Sequence, residues 1–237
     1  MVPRLRQAWG IDFVIANGEN AAAGRGITGK ITIDLLRAGV AVVTTGDHIW
    51  DQKEVNAYIE TEPRLLRPIN YPPGTPGKGS IVLETAKGKV AVINVQGRTF
   101  MQPSLENPFL QIEQEVDRLK AETSVIFVDA HAETTSEKIA LGRFLDGKVS
   151  VVAGTHTHVQ TADEMILPKG TGYITDLGMC GGIDGIIGME KNSALDKLVY
   201  QVINQFKPSD DNTRLQGVIV QINAETKKTL NIKRFNI

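Results

Sequence analysis

The chain contains one cysteine, Cys180, among its 237 residues. A single cysteine excludes an intramolecular disulfide framework, and no second thiolate is available for a structural zinc site. The apolar stretch Ile11–Ala16 is far too short to span a bilayer, and the residues before it lack the apolar core of a secretory signal. We therefore expect a soluble, cytoplasmic protein with no membrane partner.

An excess of charge of either sign is also absent. The 26 Lys and Arg residues balance 27 Asp and Glu residues, which gives a net charge of −1. Such a chain has no overall field that would attract nucleic acid, so any recognition of phosphate must be local. This balance favours a small-molecule partner and leaves a homo-oligomer open. The length fits one domain spanning residues 1–237.

Histidine is scarce, but its few occurrences are not scattered. All four histidines lie within a few residues of the C-terminal end of a hydrophobic run that predicts a β-strand. The runs are Val40–Thr45 before His48, Val125–Ala130 before His131, and Val149–Ala153 before His156 and His158. Strand C-termini in α/β proteins are where ligands and catalytic groups collect. The four histidines together predict a metal site.

The first third of the chain alternates strands and helices, which predicts parallel pairing with covering helices. The elements are a strand Ile11–Ala16, a helix Thr28–Ala38 with Thr28 as N-cap, a strand Val40–Thr45, and a helix Gln52–Glu60 capped by Asp51.

The remainder predicts both hairpins and parallel strands, so the sheets are mixed. Helices are expected from Pro108, behind Asn107, to Glu122, from the capping box Thr134/Glu137 to Leu145, and in part of Met189–Phe206. Further strands are expected at Ser80–Glu84, Lys89–Val95, Val125–Ala130, Val149–Ala153, Gly172–Thr175, Leu215–Ile222 and Thr229–Phe235. Two mixed sheets with helices outside fit this order better than one doubly wound sheet.

The strongest local motif is Gly154-Thr-His156-Thr-His158. If its backbone stays extended, the two imidazoles project to the same side and can reach one metal or two adjacent ones. Other candidate ligands that follow predicted strands are Glu19, Asn20, Asp47 and His131. Imidazole, carboxylate and amide oxygen without thiolate suit Mn²⁺, Fe, Zn²⁺ or Mg²⁺, and the set is too large for one structural zinc.

Such a ligand set supports two-metal hydrolysis of a phosphate ester. The leaving alkoxide needs a proton, and a histidine beside the metals can supply it. His48 is our candidate proton donor, since its neighbour Asp47 would reach the metal while His48 points towards the substrate. The alternative is that His48 also binds metal.

Five motifs together resemble the YmdB-like branch of the calcineurin-like metallophosphoesterases. They are Asn17-Gly-Glu19-Asn20-Ala, Gly46-Asp47-His48-Ile-Trp50-Asp51, Arg67-Pro-Ile-Asn70-Tyr71-Pro, Val128-Asp-Ala-His131-Ala-Glu133-Thr-Thr-Ser-Glu137-Lys138 and Gly154-Thr-His156-Thr-His158-Val-Gln-Thr-Ala-Asp163. The resemblance implies a four-layer α/β/β/α fold, in which a β-sandwich of two mixed sheets is flanked by helices. It also implies two divalent metal ions and phosphodiesterase activity on cyclic nucleotides, including 2′,3′-cyclic ones.

The resemblance also implies a role for each candidate residue. Glu19 would bridge the two metals, and Asn20 and His158 would serve the first. The second metal would be held by Asp47, His131 and His156, and His48 would be the proton donor.

Two departures from the family pattern are expected to matter. Asp47 stands where the general phosphoesterase motif has Asn, which adds a negative charge to the centre. Members of the family also begin with a strand that ends in Gly-Asp-x-x-Gly, whose aspartate binds the first metal. This chain begins at the helix that normally follows, so we expect the N-terminal strand to be missing and the first metal site to be impaired. Either the start is assigned too late or the protein is truncated.

The sequence also allows two rival functions. A catalytically impaired homologue could act as a metal-binding, nucleotide-binding or regulatory protein. A dinucleotide-binding domain is the other, because Gly24-Arg-Gly26-Ile-Thr-Gly29 fits a glycine fingerprint, with Asp47 as the ribose-binding acid. The fingerprint begins too far from its strand, and it leaves three histidines unexplained. The sequence therefore favours a metal-dependent phosphodiesterase.

Overall fold

The computed structural model describes residues 1–202 and 207–237, and its secondary structure alternates helices and strands through most of the chain. The helices are α1 (Val2–Trp9), α2 (Gly29–Arg37), α3 (Val55–Tyr58), α4 (Pro108–Leu119), α5 (Thr135–Phe144) and α6 (Lys191–Tyr200). The strands are β1 (Ile15–Asn17), β2 (Val42–Thr44), β3 (Ser80–Thr85), β4 (Gly88–Gln96), β5 (Ile126–His131), β6 (Val151–Thr155), β7 (Met165–Ile166), β8 (Gly172–Ile174), β9 (Cys180–Gly182), β10 (Thr213–Ile222) and β11 (Thr229–Asn236).

The largest sheet has six strands in the order β3-β4-β5-β6-β8-β7. Strands β4, β5, β6 and β8 run parallel, whereas β3 and β7 pair antiparallel at the two edges. The register places Gln96 opposite His131, and His131 opposite Thr155. The carboxyl ends of β4, β5 and β6 therefore meet at one edge of the sheet, as the sequence predicts.

A smaller parallel sheet of β1 and β2 packs on one face of the large sheet. Alternation along β2 explains this packing, because Val42 joins a core with Val92 of β4, while Val43 faces the opposite side. There Val43 packs in a second core that includes Val55 of α3.

The other face of the large sheet is covered by helices α4 and α5. Ile93 of β4 packs there with Ile112 and Leu141. The layers are thus helices, small sheet, large sheet and helices. The predicted mixed α/β fold, with mixed sheets flanked by helices, is confirmed.

The C-terminal hairpin β10-β11 forms a third sheet with β9. It joins the large sheet through Thr229, whose N–H donates to Gly170 O at 3.0 Å and whose hydroxyl donates to Ser150 O at 2.8 Å. Within residues 1–202 and 207–237, no helix is both long and apolar enough to cross a membrane.

Two predicted helix starts are confirmed by their caps. Thr28 Oγ1 accepts a hydrogen bond from Ile31 N at 3.2 Å, and Asn107 Oδ1 accepts one from Phe109 N at 3.0 Å, with Pro108 in the first helical position. Both caps satisfy backbone donors that a helix N-terminus otherwise leaves unpaired.

Two other predicted caps are wrong. The helix expected at Gln52–Glu60 is the short α3, which begins after Glu54, so Asp51 caps nothing. Thr134 precedes α5, but its side chain makes no cap hydrogen bond. The carboxylate of Glu137 reaches instead to the backbone N–H groups of Arg98 and Thr99 in the loop after β4. The long-range contact of Glu137 with Arg98 and Thr99 therefore takes the place of the predicted capping box between Thr134 and Glu137.

The segment Met189–Phe206 was predicted to be partly helical. Helix α6 accounts for Lys191–Tyr200 of it, and residues 203–206 lie outside the described part of the chain.

Candidate metal centre

Four candidate ligands meet where parallel strands of the small and the large sheet end. Glu19 follows β1, Asp47 follows β2, His131 ends β5, and His156 follows β6. Offering one ligand atom each, these four side chains lie within 4.8 Å of one another, a spacing at which one metal ion could bind them all. We call these four residues the compact cluster.

His131 is at the centre of the compact cluster. Its Nε2 lies 3.0 Å from Glu19 Oε2, 3.1 Å from Asp47 Oδ1 and 3.1 Å from His156 Nδ1. Glu19 and His131 are almost completely buried, at 2% and 1% exposure. Carboxylates and imidazole nitrogens converge on a volume from which bulk water is largely excluded.

A glycine makes room for this convergence. A β-carbon added at Gly46 would overlap the ring of His131. The glycine next to Asp47 is therefore a steric requirement of the compact cluster.

Outer hydrogen bonds select the ring nitrogen that each cluster histidine presents. Thr155 Oγ1 donates to Asp129 Oδ1 at 2.6 Å, so it accepts from His131 Nδ1 at 2.9 Å and leaves Nε2 for the cluster. His156 Nε2 lies 3.0 Å from Glu133 Oε2, which leaves Nδ1 for the cluster. Outer partners of this kind fix the tautomer of metal-binding histidines.

The charges of the compact cluster also indicate a cation. Burial favours neutral His131, yet the charge of Glu19 and a hydrogen bond to Asp47 outweigh it and raise the pKa of His131 to about 10. Burial works against ionised Asp47 too, but hydrogen bonds with His131 and His156 hold the pKa of this carboxyl well below its usual range. The cluster thus favours positive charge. In the metal-free chain a proton on His131 supplies that charge, and a bound divalent cation would supply it equally well.

Asn20 and His158 form a second group, separate from the hydrogen bonds of the compact cluster. Asn20 Nδ2 lies 3.1 Å from His158 Nε2, and His158 Nδ1 donates to the carbonyl oxygen of Ile187 at 2.9 Å. We call this group the Asn20–His158 pair. Its ring presents Nε2, on the side of Asn20.

The backbone of the His-x-His motif differs from the expectation. His156 has φ 99° and His158 has φ 65°, so the segment is not an extended strand whose alternate side chains share a face. Positive φ is costly for residues other than glycine and concentrates at functional sites. The turn sends His156 to the compact cluster and His158 to Asn20.

His48 lies beside the compact cluster and contacts it from the side. Its backbone N–H donates to Glu19 Oε1 at 2.9 Å, and its Nε2 lies 3.7 Å from Asp47 Oδ2. The other ring nitrogen, Nδ1, lies 3.0 Å from Asp51 Oδ2. Asp51 thus orients His48, as the acid of a catalytic triad orients its histidine.

Asp51 and Glu133 stand within the sequence motifs, but their contacts with His48 and His156 were not predicted. Asp51 is predicted to cap a helix, but its Oδ2 instead lies 2.5 Å from Arg25 Nε and 3.0 Å from His48 Nδ1. The spacing of His48 and Asp51, three residues apart, is the signal that could have paired them.

The glycine fingerprint does not form a nucleotide-binding loop. Gly24 and Gly26 both have positive φ and pack against Met189 and Gln52, in a turn before α2. Asp47 faces His131 and is not free to bind a ribose. The structure therefore disfavours the dinucleotide-binding alternative, because the glycines lie in a turn well after the end of β1 and not directly behind the strand.

The whole chain matches a known family. The sequence model of the YmdB-like protein family covers residues 1–235. The chain belongs to this family. The family predicted from the five motifs is thereby confirmed.

Individual relatives agree with the family match. The chain is 47% identical over 236 residues to the 2′,3′-cyclic-nucleotide 2′-phosphodiesterase of Bacillus subtilis (strain 168), covering 100% of this chain and 89% of the relative. A novel phosphatase from Mycoplasma pneumoniae has a solved structure with TM-score 0.93 and 36% identity, covering 100% of this chain and 85% of the other. A hypothetical protein from Thermus thermophilus gives TM-score 0.92 and 40% identity, with 100% and 90% covered.

Proposed function

We propose that this chain is a metal-dependent phosphodiesterase that hydrolyses 2′,3′-cyclic nucleotides. The observation that carries the proposal is the compact cluster, whose two carboxylates and two imidazoles converge within 4.8 Å. The phosphodiesterase class predicted from the sequence is confirmed by the Bacillus subtilis relative, which is named for this activity. The cyclic nucleotide as substrate is carried over from that name.

Two divalent cations are proposed as cofactors. The compact cluster would hold one of them, and Glu19 with the Asn20–His158 pair would hold the other. Oxygen and imidazole donors suit Mn²⁺, Fe, Zn²⁺ or Mg²⁺. Bound divalent cations supply an activated water nucleophile and neutralise charge on phosphoryl oxygens.

We assign protonation of the leaving oxygen to His48. Asp51 Oδ2 lies 3.0 Å from Nδ1 and orients the ring, so Nε2 is the nitrogen that would carry the proton to be given away. That nitrogen faces the side of Asp47, where a phosphate held at the cluster would lie. A general acid in this position contributes roughly 10²–10⁴ in rate.

For a 2′,3′-cyclic nucleotide, water adds to phosphorus and the bond between phosphorus and the 2′-oxygen breaks. The departing 2′-oxygen takes the proton from His48 Nε2, which leaves a 3′-phosphate and a free 2′-hydroxyl. The proton released by the water restores His48 or passes to solvent, so charge and atoms balance.

The test combines metal analysis with turnover. The purified chain is stripped with a chelator, reloaded with Mn²⁺, and assayed with 2′,3′-cyclic AMP and with bis(p-nitrophenyl) phosphate. We expect hydrolysis of both to vanish with the metal and to return on reloading. Retention of metal without hydrolysis of either ester would favour the metal-binding regulatory alternative, and hydrolysis of only the second ester would contradict the cyclic-nucleotide assignment.

A further inference from the structure

The motif Gly154-Thr-His156-Thr-His158 uses its residues in two ways. The histidines face the metal centre, whereas the threonines between and before them bond to buried aspartates. Thr155 donates to Asp129, and Thr157 donates to Asp176 at 2.7 Å. Each histidine therefore follows a threonine that is anchored in the interior.

Asp176 is a strong anchor because its carboxylate is completely buried and fully bonded. Oδ2 accepts from the backbone N–H of Thr157 at 3.1 Å, from the hydroxyl of Thr157 at 2.7 Å and from Lys138 Nζ at 2.7 Å. Oδ1 accepts from Gly178 N at 2.8 Å. Hydrogen bonds to a buried ionised group are stronger than those between neutral groups.

Lys138 completes the anchor from helix α5. Its side chain is also completely buried, and Asp176 neutralises its charge. A β-carbon at Gly154 would press on the Lys138 stem and overlap the carbonyl oxygen of Thr175. The first residue of the motif is thus a glycine chiefly because the backbone of Thr175 passes against it, with the Lys138 stem as a second close neighbour.

We propose that Asp176, paired with Lys138, is a positioning residue that sets the orientation of His158 and, through it, metal binding at the Asn20–His158 pair. The backbone supports this inference, since Thr157 sits between two residues with positive φ. Such a turn persists only where its surroundings hold it. Two hydrogen bonds from Thr157 to Asp176 provide that restraint at the centre of the turn.

Loss of the bonds between Thr157 and Asp176 is expected to disturb His158 more than His156. His156 is held independently by Glu133 and by the compact cluster. For the His158 ring the structure records Asn20 on one nitrogen and the carbonyl of Ile187 on the other. A loosened turn therefore disturbs the contact between His158 and Ile187 first.

The deciding variant is Thr157→Val, which removes the hydroxyl bond to Asp176 and keeps the size of the side chain. Thr157→Ser restores a hydroxyl and serves as the rescue variant. Thr171→Val is the matched control, because Thr171 is a buried threonine that bonds to Val149 O and Gly147 N. Its loss perturbs the sheet without touching the motif.

Long-range ¹H–¹⁵N NMR of the imidazoles in the metal-free chain reads the tautomers directly, and four histidines give a simple spectrum. In the parent, Thr157→Ser and Thr171→Val, we expect His158 as the Nδ1–H form. In Thr157→Val, the tautomer ratio of His158 should move by up to roughly tenfold towards Nε2–H, the effect of losing the hydrogen bond from His158 Nδ1 to the carbonyl oxygen of Ile187. An unchanged ratio in folded Thr157→Val overturns the proposal.

The metal readout rests on the proposed function. In a Mn²⁺ titration, we expect Thr157→Val to weaken the second, looser binding step roughly tenfold to a hundredfold and to leave the tighter step unchanged. Equal weakening in Thr171→Val would assign the effect to general destabilisation and overturn the inference. A parent that binds no second ion would contradict the two-metal assignment alone, since the tautomer experiment needs no metal.

Discussion

The compact cluster and the Asn20–His158 pair lie next to each other but are built differently. The cluster buries Glu19 and His131 almost completely and brings four ligand atoms within 4.8 Å of one another. The pair is half-buried and joins an amide to a single imidazole. Buried, mutually charged donors bind a cation more strongly than partly solvated neutral ones. We therefore expect the compact cluster to bind a metal ion more tightly than the Asn20–His158 pair.

The largest contrast should come from removing one histidine on each side. His131→Ala deletes the central ring of the compact cluster, so bound metal and hydrolysis should both be lost. His158→Ala should keep the tighter ion, because the four cluster residues stay intact. Metal content by mass spectrometry and turnover of 2′,3′-cyclic AMP measure the two effects. Equal loss of metal in the two variants would remove the distinction between the halves.

His48 should separate chemistry from metal binding. We expect His48→Ala to retain the metal content of the parent and to lower kcat by roughly 10²–10⁴, since it removes a proton donor and no ligand. Metal analysis and steady-state kinetics on the same sample check this. If the variant loses its metal, His48 is a ligand, which is the alternative the sequence left open.

A smaller effect is expected when an outer partner of the compact cluster is removed. Glu133→Gln weakens the bond that holds the Nε2 proton of His156, and such changes cost about 10–100-fold in metal affinity. Glu137→Gln is a suitable control, because the Glu137 carboxylate accepts from the backbone N–H groups of Arg98 and Thr99 in the loop after β4. In a Mn²⁺ titration, the affinity should fall for Glu133→Gln and stay at the parent value for Glu137→Gln.

The smallest effect should come from the rim of the centre. Arg25 bonds Asp51, the partner of His48, but its side chain is 69% exposed. An exposed ion pair of this kind contributes little, so Arg25→Ala should lower kcat by less than about fivefold. Asp51→Asn should lower it more, because it acts on His48 directly. Steady-state kinetics that rank the two variants the other way would place the orienting role on Arg25.

Local signals in the sequence predicted local structure well. Thr28 and Asn107 bond backbone groups two or three residues away, and both caps were predicted correctly. The strands that carry the histidines were also predicted, because hydrophobic runs and their ends are visible in sequence. The edge where β5 and β6 end follows from parallel pairing alone.

Contacts between distant segments could not be predicted in this way. Glu137 has the spacing of a capping box, yet it is bonded to Arg98 and Thr99, which a fold places beside it. Thr157, at the centre of the turn between His156 and His158, is likewise bonded to Asp176, nineteen residues further on, and Asp176 is bonded to Lys138 of α5. Such choices depend on which partner is nearer in space, and sequence spacing does not encode that.

Anyone who transplants this centre to another scaffold will find that one requirement is an empty volume. Copying Glu19, Asp47, His131 and His156 would reproduce the donors, but any side chain at the position of Gly46 would occupy the place of the imidazole ring. A grafting protocol that optimises only the ligands would fill that place with alanine or serine and lose the geometry. The absence of a side chain at Gly46 is therefore as necessary for the cluster as the ring nitrogen of His131 that it faces.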